Sequence, residues 1–175
     1  NIKGWIITHK VKASLLLTLC VLAFLYMICL PGDLFEGEQY STVVTDREGE
    51  LLGARIADDG QWRFPPSDTV PERFGRCLIE FEDRYFHLHP GVNPVAVLRA
   101  AKDNISSGKV VSGASTITMQ VIRMSRGKER NLWQKAAEAI MATRLELRCS
   151  KEEILALYAS HAPFGGNVVG LEAAA

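Results

Sequence analysis

Neither sign of charge predominates in this chain: 20 lysine and arginine side chains stand against 20 aspartate and glutamate, for a formal net charge of zero. That balance excludes a global field for gathering nucleic acid, so an anionic ligand has to be held by a local group of cations. Cysteine is scarce too. Of four, Cys20 and Cys29 fall in an apolar run, while Cys77 and Cys149 are far apart without framework spacing, which favours buried free thiols over a bridge. No internal repeat or low-complexity tract is present. His87 and His89 are spaced as a strand-borne metal pair would be, but no third ligand follows at a familiar interval. A structural or wall role is expected for them, and no metal site is assigned.

There is one long hydrophobic run. Ala13 to Leu30 (ASLLLTLCVLAFLYMICL) carries no charged residue and is near the lower limit of length for a helix that crosses a bilayer. Residues 13–31 are therefore read as a transmembrane anchor. Lys3, Lys10 and Lys12 precede it and Asp33, Glu36 and Glu38 follow, so the positive-inside rule leaves residues 1–12 cytoplasmic and the remainder outside. A cleavable signal peptide is the rival, but Pro31-Gly32-Asp33 lacks a small-x-small cleavage site.

Residues 32–70 read as a linker and hairpin region. Thr42–Thr45 and Leu51–Ile56 are β-favouring runs around Asp46-Arg47-Glu48-Gly49. From Pro71 onward the pattern turns helical. Phe74, Cys77, Leu78 and Phe81 share a face; Asn93-Pro94 opens a helix through Val97, Leu98, Ala101 and Ile105 to Ser106-Ser107-Gly108. Asn131 with Gln134 resembles a capping box ahead of a stripe of Leu132, Ala136, Ala139, Ile140, Thr143 and Leu147, and Ser150 with Glu153 is a clearer box. Between them, Val110 to Gln120 is a small-residue loop entering a helix at Thr116, whose free N–H groups favour an anion.

Two carboxylates carry the chemical signal. Glu82 lies in an aromatic and histidine-rich segment, surroundings suited to a general base, whereas Glu138 follows Lys135 by one helical turn. Taken alone, each is an ordinary surface carboxylate. Arg123, Arg126, Lys128 and Arg130 form a short basic run between them, suited to phosphate. Ser125-x-x-Lys128 matches a penicillin-reactive tetrapeptide, but neither Ser-x-Asn nor Lys-Thr-Gly follows it.

The ordered series Glu82-Asp83-x-x-Phe86-x-x-His89-x-Gly91, Gly113-Ala114-Ser115-Thr116-Ile117-Thr118-Met119-Gln120, Lys135-x-x-Glu138 and Lys151-x-x-Ile154-Leu155-x-x-Tyr158 resembles the peptidoglycan glycosyltransferases of family 51. Ala162-Pro163-Phe164-Gly165-Gly166-Asn167 points, within that family, to the bifunctional class A penicillin-binding proteins of the 1C type. The resemblance implies a mainly α fold: a lysozyme-like glycosyltransferase domain, residues 71–175, after a single transmembrane helix and a short β-hairpin segment. That domain is expected to be cut short at its C-terminus, with any transpeptidase domain beyond residue 175.

The implied activity is polymerisation of lipid II into β-1,4 glycan strands with inversion, releasing undecaprenyl pyrophosphate. It would take place on the outer, periplasmic face of a bacterial cytoplasmic membrane. Glu82 would be the catalytic base and Glu138 the organiser of donor and cations. Asp83, Phe86, His89, Ser115, Thr116, Gln120, Arg123, Arg130 and Lys135 would contact or shape the substrate. The implied partners are lipid II, the growing glycan strand, the membrane and other cell-wall synthesis proteins, with no nucleic acid. No cofactor is required, and a divalent cation, magnesium or manganese, is compatible with Glu138. Ala114, Met119, Gln134, Asn93 and Ser160 depart from the family pattern. Two alternatives stay open: a glycan-cleaving lysozyme-like enzyme, also built around a glutamate, and a weakly active membrane-anchored scaffold, suggested by Gln134, Ala114 and Met119.

Overall fold

The structure is a computed structural model that describes residues 2–128 and 131–175, with side chains from residue 9 onward. Helix α1 (Ile2–Ile28) opens the chain. Its stretch His9–Ile28 is long and apolar enough to cross a membrane, and is the one such helix among the described residues. It stops before Pro31, whose ring cannot continue a helix.

Strands β1 (Thr42–Thr45) and β2 (Leu51–Arg55) pair antiparallel, Thr42 opposite Arg55. Asp46 holds the connection by accepting from the Glu48 and Glu50 amides at 2.9 and 2.8 Å. A short β3 (Trp62–Arg63) precedes α2 (Glu72–Glu82) and a 3₁₀ turn at Phe86–Leu88. Then come α3 (Pro94–Ser107), α4 (Ile117–Arg126), α5 (Leu132–Glu146), α6 (Lys151–His161), β4 (Pro163–Gly165), β5 (Val168–Val169) and α7 (Leu171–Ala174).

Local chemistry starts most of these helices. Asn93 accepts from the Ala96 amide at 3.0 Å with Pro94 at the first helical position, and Gly108 ends α3 in the left-handed conformation. Ser150 and Glu153 form both arms of a capping box. At α5 only one arm exists: Asn131 accepts from the Gln134 amide at 2.8 Å, but Gln134 Oε1 has no partner among the described residues.

The core centres on α4. Ile117, Val121 and Ile122 are fully buried, with Phe86, Leu145 and Ile154 closing over them. Burial of that kind contributes about 1.5–3 kcal/mol per large apolar side chain.

Three expected helix faces differ. In α2, Phe81 is 87% exposed and Cys77 is also exposed, while Gly75 and Leu78 are buried. In α5 the buried stripe is Glu138, Met141, Ala142 and Leu145, whereas Leu132, Ile140 and Leu147 point outward. In α3 only Ala100 is buried, and Val97, Leu98 and Ile105 are exposed. Periodicity finds a stripe, but which stripe meets the core depends on where the neighbouring helices lie. All four cysteines are free; the expectation of burial fails for Cys77, and Cys149 is half-buried.

A second sheet has no strong sequence signal. β5 pairs parallel with β3 and antiparallel with β4. Trp62 N donates to Asn167 O at 2.7 Å, and Asn167 Nδ2 to Gly60 O at 3.0 Å. Strands of two or three residues are too short to show alternation.

The connector after α1 is tied to the helical body. Phe35 stacks on His161 with ring centroids 3.5 Å apart. Arg63 reaches Asp59 at 2.9 Å and Glu38 at 3.5 Å. Tyr26 and Thr143 share a hydrogen bond of 3.2 Å, and Arg148 donates to Pro31 O at 2.5 Å, so the C-terminal end of α1 and the residues after it are tied to the C-terminal half of α5 and the residues that follow it.

Candidate active site

Glu82 is the last residue of α2 and lines a cleft of about 350 Å³ with Asn93, Arg99, Gly113, Ser115 and Thr116. Gln120, on α4, donates from Nε2 to Glu82 Oε2 at 2.6 Å. Arg123, one turn further along α4, donates to Gln120 Oε1 at 3.3 Å. The motif order thus becomes a chain of contacts: cation, amide, carboxylate.

Asp83 faces inward. Both its oxygens lie 3.0 Å from His89 Nε2, and Oδ2 also accepts from the Ile117 amide at 3.2 Å. The start of α4 was expected to offer free N–H groups to an outside anion. Instead Asp83 supplies the negative charge at that helix N-terminus, where charge and dipole agree. Thr116 caps the same helix by accepting from the Met119 amide at 3.2 Å, and its hydroxyl donates to Gly91 O at 2.6 Å. Thr116, read as a sugar-phosphate contact, is therefore buried with its hydroxyl committed internally.

Gly91 explains why this junction is tight. Its φ is +87°, and a Cβ there would lie 2.7 Å from the backbone carbonyl of Ala142. A glycine lets the loop after the 3₁₀ turn press onto α5. Phe86, expected in the substrate wall, is fully buried in the core, and His89 is buried against Asp83. Neither lines the Glu82 cleft itself.

A second groove, about 610 Å³, carries Lys135 and Glu138 together with Asn104, Val111, Ser112 and Leu132. Gly113 and Ser115 line both this groove and the Glu82 cleft, so the two spaces meet at the small-residue loop. Asn104 shapes that loop by accepting from the Val111 and Ser112 amides at 2.8 and 3.0 Å. Glu138 sits on the core-facing stripe of α5 and is 7% exposed. A carboxylate placed where apolar packing would be expected is a candidate for function. Arg130 lies outside the described residues.

Sequence reasoning assigned no role to Glu146 and none to Lys151 beyond its place in the fourth motif. Lys151 Nζ lies 2.7 Å from Glu146 Oε2, donates to His89 O at 2.8 Å and stands 4.3 Å over the Phe86 ring. Glu146 also accepts from the Thr118 hydroxyl at 2.5 Å. These contacts clamp α4, α6 and the first-motif loop together. Tyr158, at position i+7 from Lys151 on α6, is half-buried; burial above all, and then the Glu82 charge, pushes its phenol above the usual range. The Lys-x-x-Ile-Leu-x-x-Tyr spacing was the signal for both residues.

One departure from the family pattern loses weight in three dimensions: Met119 is 3% exposed within the core, so it takes no polar group from the cleft wall. Ala114 is buried but lines the Glu82 cleft. No group of three or more His, Cys, Asp or Glu poised for a metal occurs among the described residues.

Residues 48–175 match the Transglycosylase family. The chain is 46% identical over 134 residues to penicillin-binding protein 1C of Escherichia coli K12, covering 75% of this chain and 17% of that protein. It is 38% identical over 134 residues to penicillin-binding protein 1A of Aquifex aeolicus, covering 75% and 18%. To penicillin-binding protein 1B of Escherichia coli K12 it is 32% identical over 143 residues, covering 75% and 17%. The chain thus spans about a sixth of the length of the curated relatives it matches. With Glu82 on a cleft wall, Lys135 and Glu138 in the adjoining groove, and the family match running across both, the chain belongs to the transglycosylase family, glycosyltransferase family 51, with that family's lysozyme-like, mainly α domain.

Proposed function

We propose that this chain is a peptidoglycan glycosyltransferase that extends glycan strands from lipid II with inversion. The observation that carries the proposal is the meeting of the Glu82 cleft and the Lys135–Glu138 groove at Gly113 and Ser115. An inverting transfer needs a base at the acceptor hydroxyl, on the face opposite the leaving group. Glu82 takes that proton as the hydroxyl oxygen attacks the anomeric carbon of the donor strand. The bond from that carbon to the pyrophosphate breaks, and undecaprenyl pyrophosphate departs with the electron pair. Pyrophosphate is weakly basic, so cations serve it better than a proton donor would. Lys135 and Arg123 supply that charge, and Glu138 lines the groove beside Lys135.

Glu138 is the only carboxylate on its groove wall among the described residues. Glu138 would be the residue to hold a magnesium or manganese ion there, since magnesium commonly binds through one or two carboxylates together with substrate phosphate. Such an ion would neutralise leaving-group charge.

The apolar α1 supports membrane attachment with a cytoplasmic N-terminus and a periplasmic domain, on the charge asymmetry of its flanks. Exposed Leu98, Ile105, Leu132 and Trp133 suit a lipid neighbour. Other cell-wall synthesis proteins are the natural partners of such an activity.

Lipid II polymerisation on a gel, comparing the chain with Glu82→Gln, tests the reading. Equal turnover would remove Glu82 as the base. Release of short fragments from finished glycan, without consumption of lipid II, would favour cleavage instead.

A further inference from the structure

We propose that Gln120 is a positioning residue for Glu82, locked in orientation by Arg123, so that one chosen oxygen of the carboxylate is left to the acceptor hydroxyl. The inference deepens the glycosyltransferase reading and relies on it only for its kinetic arm.

The orientation follows from what each group can donate and accept. An ionised carboxylate only accepts, and a guanidinium only donates. Gln120 lies between one of each, with Nε2 2.6 Å from Glu82 Oε2 and Oε1 3.3 Å from Arg123 Nη2. Turning the amide over would set oxygen against oxygen and N–H against N–H. One arrangement therefore survives, and Glu82 and Arg123 both select it. Without Arg123 the amide oxygen would lose the partner that fixes it, and the donor to Glu82 would be less firmly held.

The support is rigid. Gln120 and Arg123 are one turn apart on α4, a helix whose Ile117, Val121 and Ile122 are fully buried. The donor to the base is thus carried by a helix packed into the core rather than by a loop. Glu82 Oε2 is held there, while Oε1 has no hydrogen bond among the described residues and belongs to a side chain on the cleft wall. A base held by one oxygen keeps the other in a fixed place, which is the geometric requirement for proton transfer from a bound hydroxyl.

Arg123 also links two events. Its guanidinium has five N–H groups and gives one to Gln120. The remaining donors can meet a phosphate oxygen of the leaving group, so the same side chain that reads the pyrophosphate orients the amide that holds the base. Tyr158 closes the cluster, close enough to feel the charges of both Glu82 and Arg123.

The test follows the Glu82 carboxyl directly. The full chain in detergent micelles carries ¹³C-carboxyl glutamate, Glu82→Gln identifies the resonance, and its titration is compared in the unaltered chain, Gln120→Met, Gln120→Glu and Gln120→Lys. A donor favours the ionised carboxylate and a like charge disfavours it. The midpoint should rise for Met, rise further for Glu and fall for Lys. In lipid II polymerisation Gln120→Met should lower kcat about 10- to 100-fold with KM little changed, the scale of a lost positioning contact. The acid limb of its pH–rate profile should move to higher pH.

An unchanged titration, or a loss confined to KM, would make Gln120 a substrate contact only and overturn the inference. If the unaltered chain fails to polymerise lipid II, the functional reading falls, while the titration still decides the role of Gln120.

Discussion

Asp83 presents both carboxylate oxygens to His89 Nε2 at 3.0 Å, and the pair is buried. The next residue back, Glu82, lines the same cleft as Asp83 but is only half-buried. Adjacent acids at the end of α2 therefore do different work: one joins the first-motif loop to α4, and the other is available to substrate.

That division predicts opposite mutant signatures. Asp83→Ala should leave the His89 ring and the Ile117 amide without their acceptor, at about 1–3 kcal/mol for each buried group. Thermal unfolding should fall by roughly 5–15 °C for a chain of this size. Glu82→Gln should leave the melting temperature nearly unchanged and reduce lipid II turnover at least ~100-fold. Similar losses of stability in both variants would contradict the assignment.

Gly91→Ala should be costly for two reasons. Its φ is +87°, and the added Cβ would lie 2.7 Å from the Ala142 carbonyl. Strain and overpacking together should cost on the order of 2–5 kcal/mol. Gly108 has φ +62°, but a methyl added there would meet nothing within 4 Å, so Gly108→Ala should cost only about 1–2 kcal/mol. Denaturant unfolding of the two variants measures the difference, and equal costs would mean that the close approach to α5 relaxes freely.

Lys135→Ala and Glu138→Gln should act on substrate rather than on the fold. Lys135 is exposed in the groove, and Glu138 has no hydrogen bond among the described residues. Both variants should keep their melting temperature within a few degrees and lose about 10- to 1,000-fold in turnover, the range for removing a charge that stabilises a leaving group. Loss should be milder with added magnesium for Lys135→Ala and not for Glu138→Gln.

His161 makes the connector sensitive to acid. Burial, the largest influence, holds its imidazole below the ordinary histidine range, where the Phe35 stack and the nearby Glu38 surround it. A depressed histidine lets the unfolded chain bind more protons than the folded one once pH falls below about 6.5. Its stabilising contribution is therefore full above that pH and is lost as pH falls through the folded value. Melting temperature should drop more steeply between pH 7.5 and 5 in the unaltered chain than in His161→Gln. Identical slopes would show that another group governs the acid response.

Much of the helical plan was legible in residue order. Asn93-Pro94 and Ser150 with Glu153 start helices because their side chains satisfy amides within a few residues of themselves. The hairpin at Asp46–Gly49 was legible for the same reason. Asn131 showed the limit: it caps α5, but Gln134 does not return the bond. The second sheet was not legible, because β3 and β5 are paired by contacts across a long stretch of chain.

The site divides along the same line. By itself the sequence determined the chemical cast: an apolar helix, Glu82 and Asp83 at a helix end, Gln120 and Arg123 one turn apart, and Lys135 one turn before Glu138. These follow from local spacing, which the backbone geometry of a helix converts directly into shared faces. Only the tertiary structure decided that Asp83 turns inward while Glu82 meets the cleft, that Met119 faces the core while Gln120 faces the base, and that Glu146 with Lys151 clamps the helices. Those outcomes depend on which helix packs against which, and close packing settles that among residues distant in the chain.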